Sequence, residues 1–224
     1  SMKSLEKRTT KIKAAEGTQS TKETAAAKGG TVVSGTTTKS MSVKEPGGSS
    51  VRQASRIEYE IIVINDGSKD NTLELLKSNN NLYQHLIDGK QNFGKGYAVK
   101  KGLELSTGDY VIFQDGDLEY DPEDFSKFID VIQKFQADVI IGSRFNYDKY
   151  TRSFNLFNKL GNYIITFIFN ILYNTTFTDI CCCYLCFKRQ LLDYQNLRTN
   201  GFEQHIEILC KVVKRGKIFF EVPT

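Results

Sequence analysis

Residues 110–119 read YVIFQDGDLE, an apolar run that ends in three acidic residues. A short, continuous apolar run of this kind predicts a strand buried on both faces. Asp115 and Asp117 lie two residues apart at its end, so both carboxylates can face one hard cation, and Glu119 can add a third oxygen. Oxygen ligands of this type suit Mg²⁺ or Mn²⁺.

The same acidic stretch allows a second interpretation, because Asp-Gly between two apolar segments is also typical of a hairpin turn. Residues 121–124, DPED, are instead typical of the first turn of a helix, with Pro122 near its start. A helix directly after the acidic residues favours a metal site over a hairpin.

Strand and helix patterns alternate along the chain around this stretch. The predicted strands cover residues 59–65, 82–87, 110–114, 138–141, 180–187 and 217–222. The predicted helices cover residues 96–105, 122–135, 154–173 and 202–215, with one more capped by Asp70 or Asn71. This alternation predicts an α/β domain with a mostly parallel, twisted sheet flanked by helices.

Polar clusters follow three of the predicted strands, at the edge where sheets of this class bind ligands. Besides Asp115, they contain Asp66 in the sequence DGS and Arg144 in the sequence GSR. Asp66 can accept a hydrogen bond from a nucleobase or ribose, or it can cap the next helix. Arg144 can bind a phosphate with two N–H groups, or it is an ordinary surface arginine.

Several further polar residues have weaker signals. Lys95 lies between two glycines before a predicted helix, which suits a phosphate at a helix N-terminus, but the spacing matches neither a Walker loop nor a dinucleotide fingerprint. His85 and His205 are isolated, and we predict that neither is catalytic. Glu203 and Glu207 lie four residues apart on one helix, where they are either solvated carboxylates or contacts to a substrate.

The first quarter of the chain has a different composition from the rest. Residues 1–56 contain no aromatic residue and carry 11 Lys/Arg and 4 Asp/Glu; their net charge of +7, set against +4 for the whole chain, leaves −3 for residues 57–224. So little apolar surface does not offset the entropy of ordering a segment. We predict a disordered, solvated basic tail or linker without a nucleic-acid partner, in which residues 22–28 resemble part of an affinity tag, and one domain over residues 57–224.

The cysteines and the hydropathy bear on the compartment. Four of the five cysteines lie among apolar residues at 181–186, which predicts buried free thiols and a reducing, cytoplasmic environment. Cys183 and Cys186 have zinc-ligand spacing but no second pair of ligands follows. We see no secretory signal and no apolar span of about 20 residues, and we predict a cytoplasmic protein that is peripheral on the cytosolic face of a membrane.

Taken in order, the segments resemble family 2 glycosyltransferases of the GT-A fold. The resemblance is carried by EIIVINDGSKDNT at residues 60–72, by residues 92–125 and by DVIIGSRF at residues 138–145. Residues 157–189 and 200–223 resemble the subgroup that includes dolichyl-phosphate mannose synthase and bacterial polyprenyl-phosphate sugar transferases.

This resemblance implies a role for each matched position. Asp115 and Asp117 match the family's metal-binding motif, and Glu119 falls at a third metal-proximal oxygen. Asp66 matches the acidic residue that reads the base, and Lys95 lies in the loop near the nucleotide. Nucleotide-sugar binding is therefore expected at Asp66, Lys95 and Asp115.

The resemblance also implies the reaction, which is transfer of a hexose from a UDP- or GDP-sugar with inversion. Arg144 matches an arginine near the phosphates and the acceptor, and Asp179 matches a family aspartate. A polyprenyl phosphate acceptor is already anionic, because the second pKa of a phosphomonoester is about 6, and Arg144, Arg152 and Lys159 are candidates for binding it. A glycan hydroxyl acceptor requires a base instead, either Asp179 or Glu203.

Two departures from the family pattern leave a third hypothesis open. The family's first strand has no recognisable counterpart before residue 57, and Cys181 and Leu185 stand where the subgroup has Glu and Lys. The third hypothesis is therefore a truncated or non-catalytic relative that has lost nucleotide binding.

The apolar helix predicted at residues 154–173 separates lipid from soluble acceptors. Its Phe, Ile and Leu content suits either an interfacial helix or a core helix. For a lipid acceptor we expect Phe167, Ile168, Ile171 and Leu172 to be partly exposed.

Overall fold

A seven-stranded mixed sheet forms the centre of the molecule, for which we analysed a computed structural model that describes residues 30–39, 56–116, 120–145 and 156–224. The strands are β1 (Gly30–Lys39), β2 (Arg56–Asp66), β3 (His85–Gly89), β4 (Tyr110–Asp115), β5 (Val139–Ser143), β6 (Leu185–Lys188) and β7 (Phe219–Pro223).

The strand directions place one set of carboxyl ends at a single edge. The order across the sheet is β3-β2-β1-β4-β6-β5-β7. β2 pairs parallel with β3, and β5 pairs parallel with β7, whereas β1 and β6 each run antiparallel to both neighbours. Five of the seven strands therefore share one direction, although four of the six neighbouring pairs are antiparallel. The α/β class expected from the sequence is confirmed, and its sheet is mixed rather than mostly parallel.

Five α-helices accompany the sheet within the described residues. They are α1 (Thr72–Ser78), α2 (Lys95–Leu105), α3 (Phe125–Phe135), α4 (Leu156–Tyr173) and α5 (Gln204–Arg215). Short 3₁₀ turns lie at Asn80–Leu82, Pro122–Asp124, Arg189–Leu191 and Tyr194–Asn196. The turn at Pro122–Asp124 leads directly into α3, so a helix follows β4 and the hairpin interpretation is wrong.

The packing of β2 explains why its sequence is apolar without interruption. Ile62 and Ile64 belong to the main core cluster, while Ile61 and Val63 pack with Leu76 of α1 in a second cluster. Because successive side chains point to opposite faces of a sheet, both faces of β2 are covered. Burial on both faces requires apolar residues at every position.

The strand β1 corrects part of the expected tail. Gly30–Lys39 lies between β2 and β4, with Gly30 opposite Asn65 and Thr36 opposite Tyr110. A segment with little apolar surface can still be ordered by pairing with a strand on each side, and this one is rich in Thr and Val, which favour strands. The remainder of residues 1–56, apart from Arg56, lies outside the described residues, and the domain division at residue 57 stays a prediction.

A second correction concerns the cysteines, which were assigned to a strand over residues 180–187. β6 begins only at Leu185. The Asp179 carboxylate accepts a hydrogen bond from the Cys181 N–H at 3.2 Å, and the Asp179 carbonyl accepts one from the Cys182 N–H. These bonds close a turn that takes the backbone out of the ladder. All five thiols are free, as expected, although only Cys182 and Cys186 are buried.

Hydrogen exchange tests the placement of β1. We expect the amides of Gly30–Lys39 to exchange about as slowly as those of β4, because a strand with a partner on each side opens only when the sheet does. Exchange followed by mass spectrometry on peptides that cover both strands measures this. Exchange of β1 at the rate of an unprotected chain would restore the tail interpretation.

Candidate active site

The predicted site residues lie at one edge of the sheet, because β2, β4 and β5 share a direction. Asp66 ends β2, Asp115 ends β4, and Arg144 follows the last residue of β5. Asp117, Glu119 and Arg152 lie outside the described residues, so their predicted roles stay predictions. The predicted site residues that the structure describes contact residues far from them in the sequence.

Asp66 anchors the loop in front of α2. Its carboxylate is nearly buried and accepts hydrogen bonds from the Phe93 N–H at 3.0 Å and the Gly94 N–H at 2.8 Å. Gly94 has φ of 99°, a conformation that favours glycine. The Asp66 carboxylate therefore binds this loop rather than capping α1, the next helix along the chain. Its contact with a nucleobase stays a prediction.

Lys95 and Asp115 form an ion pair at the site. The Lys95 Nζ lies 2.6 Å from an Asp115 carboxylate oxygen and 3.4 Å from the Cys183 Sγ. Burial acts to lower the pKa of Lys95, but the electrostatic and hydrogen-bond contacts with Asp115 and Cys183 together outweigh it, and the pKa is raised. Burial, aided by Asp115, raises the pKa of the Cys183 thiol to about 11. The lysine is thus an ammonium ion beside a neutral thiol.

Asp115 is the one predicted metal ligand that the structure describes. Its carboxylate oxygens are of the kind that Mg²⁺ and Mn²⁺ prefer, and in this structure one of them is paired with the Lys95 ammonium. Within the part of the chain that the structure describes, no group of three or more His, Cys, Asp or Glu side chains is arranged to hold a metal ion. The remaining predicted ligands, Asp117 and Glu119, lie outside that part.

Arg144 and Asp179 form a bidentate pair. The Arg144 Nε lies 2.7 Å from one Asp179 oxygen and the Nη2 lies 2.9 Å from the other, and Asp179 is fully buried. Burial acts to lower the pKa of Arg144, but the hydrogen bonds to Asp179 raise it. Both carboxylate oxygens therefore hold the guanidinium in place. This geometry suits a positioning role for Asp179, and its role as a base stays a prediction.

Glu203, the residue before α5, and Glu207, within α5, differ in their environments. Glu203 is exposed, and its carboxylate accepts from the Gly201 N–H at 3.1 Å. Glu207 is not the solvated carboxylate considered above, because it accepts from the Arg198 and Thr199 N–H groups and pairs with Lys211. Burial acts to raise the pKa of Glu207, but these bonds lower it to about 2. Glu207 thus fixes the segment before α5.

The segment before α5 contacts the start of α2. The Gly96 N–H donates to the Asn200 carbonyl at 2.7 Å, and a side chain at Gly96 would overlap the Asn200 backbone. His205, on the first turn of α5, lines a small cavity together with Lys95. Sequence reasoning set His205 aside, and a lone histidine on an amphipathic helix gave no signal of this position.

The N-terminal half of α4 contacts Phe145, the residue that follows Arg144. The ring of Phe145 stacks on Tyr163 with centroids 5.2 Å apart. Lys159, one of the predicted acceptor residues, has its Nζ 5.6 Å from the Phe145 ring centroid. The structure therefore places Lys159 against Phe145, which is next to Arg144 in the sequence.

The rest of α4 presents a broad apolar surface. Phe167, Ile168, Ile171 and Leu172 are 66%, 50%, 66% and 72% exposed, which confirms the expected exposure of these four side chains. Other large apolar side chains of the helix are also exposed, namely Leu156, Phe157, Leu160, Tyr163, Ile164 and Ile165. Among the described residues, no helix has the length and apolar content needed to cross a bilayer.

The mixed sheet, with Asp66 and Asp115 as the last residues of β2 and β4, agrees with the GT-A-like α/β class expected from the sequence. The chain belongs to glycosyl transferase family 2, whose family model matches residues 49–194. The family expected from the sequence is confirmed, and the chain is a family 2 glycosyltransferase domain.

Curated relatives agree with this assignment. The chain is 27% identical to an uncharacterized protein of Methanocaldococcus jannaschii over 76% of this chain and 78% of that protein. It is 32% identical to glycosyltransferase AglJ of Haloferax volcanii over 73% of this chain and 52% of AglJ. It is 38% identical to a dolichyl-phosphate beta-glucosyltransferase of Dictyostelium discoideum, over 40% of this chain and 29% of that protein. The chain thus spans about half of AglJ and under a third of the Dictyostelium enzyme.

Solved structures show the same fold. The glucosyl-3-phosphoglycerate synthase of Mycobacterium tuberculosis, in a complex with Mn²⁺, UDP and phosphoglyceric acid, matches with a TM-score of 0.56 at 18% identity. The match covers 73% of this chain and 57% of that protein. A second complex of the synthase, with Mn²⁺, UDP-glucose and phosphoglyceric acid, gives 0.55 at 16% identity over 72% and 57% of the two chains.

Proposed function

We propose that this chain is a metal-dependent, inverting glycosyltransferase that moves a hexose from a UDP- or GDP-sugar to a polyprenyl or dolichyl phosphate. One observation carries the proposal: α4, whose exposed surface is largely apolar, carries Lys159 and contacts Phe145, the residue next to Arg144. A cationic group next to an apolar surface is what a phosphate on a lipid tail requires.

The donor binds at the ends of β2 and β4. Lys95 neutralises diphosphate charge from the N-terminus of α2, and Asp66 holds the loop that carries Lys95. Asp115, with Asp117 and Glu119, would hold Mg²⁺ or Mn²⁺. The metal ion supplies stabilisation of charge on the leaving diphosphate. The Mn²⁺ and UDP-glucose complex of the mycobacterial synthase supports this assignment.

The acceptor binds at the end of β5. Arg144, held by Asp179, contributes its positive charge to the binding of the acceptor phosphate, and Lys159 and Arg152 add to that charge. Because that phosphate is anionic at neutral pH, its oxygen attacks without a strong base. The pairing of Asp179 with Arg144 is consistent with such a mechanism.

The membrane presents this acceptor, so the protein must come to it. Each buried CH₂ group is worth about 0.8 kcal/mol, which keeps a polyprenyl tail in the bilayer. The exposed side chains of α4 enter the interface on the cytosolic face, and Lys159 lies at the level of the anionic headgroups.

Flotation with anionic liposomes tests the lipid acceptor. We expect the wild type to float at low salt, and Phe167→Ser/Ile171→Ser to lose at least about tenfold in bound fraction, because two large apolar side chains leave the interface. The same variant should lose transfer from UDP-glucose or GDP-mannose to dolichyl phosphate in vesicles. The matched control is Phe135→Ser/Ile218→Ser, which removes exposed Phe and Ile side chains outside α4.

A hydroxyl acceptor is the second candidate, because Glu203 is an exposed carboxylate that could act as the base. A wild type that stays unbound and transfers sugar to a soluble hydroxyl acceptor would favour this candidate. A protein that binds neither UDP- nor GDP-sugars would support the non-catalytic alternative.

A further inference from the structure

A small cavity lies between the start of α2 and the start of α5. Its walls include Lys95, Phe113, Cys183, Gln204 and His205, and its volume is about 10 Å³. A volume of this size holds about one water molecule or one hydroxyl group. Since Lys95 also pairs with Asp115, the cavity adjoins the place proposed for the donor diphosphate.

Two residues that line this cavity have hydrogen-bond acceptors without partners. Gln204 is 2% exposed, and its Nε2 donates to the Thr199 carbonyl at 2.7 Å, which leaves the Oε1 without a partner among the described residues. The His205 Nε2 is likewise buried and has no partner in the described part of the chain. Leaving such an atom unsatisfied costs about 1–3 kcal/mol.

The His205 Nε2 is an acceptor because the ring is neutral and its single N–H is on the other nitrogen. The other ring nitrogen bonds the backbone of Ile180, and burial, together with Lys95, lowers the pKa of His205 to about 4. The ring is therefore neutral near pH 7 and uses its single N–H for Ile180. Nε2 then offers a lone pair, as the Gln204 Oε1 does.

A ligand that complements these atoms carries an O–H donor and an apolar face. Phe202 also lines the cavity, and its ring is 79% exposed beside the Lys95 Nζ, 5.6 Å from the ring centroid. An exposed aromatic face next to buried acceptors suits a sugar ring, whose C–H groups pack on the aromatic ring while a hydroxyl donates.

We propose that this cavity is a hexose subsite, in which one hydroxyl of the transferred sugar donates to Gln204 Oε1 or His205 Nε2 while the sugar ring packs against Phe202. The inference rests on the proposed donor site, because a diphosphate at Lys95 brings the attached sugar to this position. It assigns sugar selectivity to the first turn of α5, where a sugar that lacks this hydroxyl leaves an acceptor unsatisfied.

Binding calorimetry separates the sugar from the nucleotide. UDP and UDP-glucose are titrated into wild type, Gln204→Leu and His205→Leu in the presence of MnCl₂, with GDP and GDP-mannose as a second pair. We expect the variant that removes the accepting atom, either Gln204→Leu or His205→Leu, to bind UDP-glucose or GDP-mannose about tenfold more weakly, the loss of one hydrogen bond. That variant should bind the nucleotide alone as the wild type does. The control Ile206→Val shortens a neighbouring side chain that does not line the cavity.

Deoxy sugars test the inference without a variant. Among single-deoxy analogues of UDP-glucose, one should bind the wild type about tenfold more weakly and show no further loss in the leucine variant that lacks the accepting atom. Failure of every nucleotide to bind the wild type would overturn the proposed donor site and this inference together. Normal nucleotide binding with equal affinity for all deoxy analogues would overturn the inference alone and leave only a bound water in the cavity.

Discussion

Asp115→Asn is expected to lower the rate of sugar transfer by about 10²–10³-fold, the range found when one electrostatic contact to a developing charge is removed. The neutral amide keeps the shape of the side chain but removes the charge that would hold a divalent cation at the end of β4. The pair with Lys95, at 2.6 Å, is lost as well. The same loss is expected for Asp117→Asn, on the family pattern.

The measurement is transfer from UDP-glucose or GDP-mannose over a range of Mg²⁺ and Mn²⁺ concentrations. Asp130→Asn serves as the control, because Asp130 is an exposed residue of α3 that pairs with Lys134. Asp115→Asn should also lose the metal-dependent part of nucleotide binding. Retention of full metal-dependent transfer by this variant would show that the acidic motif does not hold the ion.

Asp179→Asn is expected to lower the free energy of unfolding by about 3 kcal/mol. Removing one partner of a buried ion pair costs about 3–5 kcal/mol, because the other charge is left uncompensated. The lower end applies here, since the Arg144 side chain is 21% exposed while that of Asp179 is fully buried. The change also frees the guanidinium from the two hydrogen bonds that hold it.

Urea unfolding measures this change, with Asp130→Asn as the exposed-pair control, for which the expected loss is below about 0.5 kcal/mol. Transfer is then assayed at a temperature where Asp179→Asn is fully folded. A change in stability as small as that of the control would contradict the buried-pair interpretation. A folded variant that loses transfer only to hydroxyl acceptors would assign Asp179 the role of base.

The sequence by itself determined the class of fold, the main elements and the edge of the sheet where the site lies. Continuous apolar runs such as 59–65 and 110–114 are local signals, since burial on both faces affects every residue of the strand. Asp66 and Asp115 directly follow these runs, and the strands end at them because a charged side chain is not buried on both faces of a sheet. The family followed from the order of these motifs.

Only the tertiary structure decided which partners these residues have. The ladder of β1, the binding of Asp66 to the loop at Gly94 and the pairing of Arg144 with Asp179 each join segments well separated in sequence. A carboxylate's role depends on which donors the fold brings to within about 3 Å of it. No periodicity or composition encodes that distance, because it arises from the packing of strands and helices that are not neighbours along the chain.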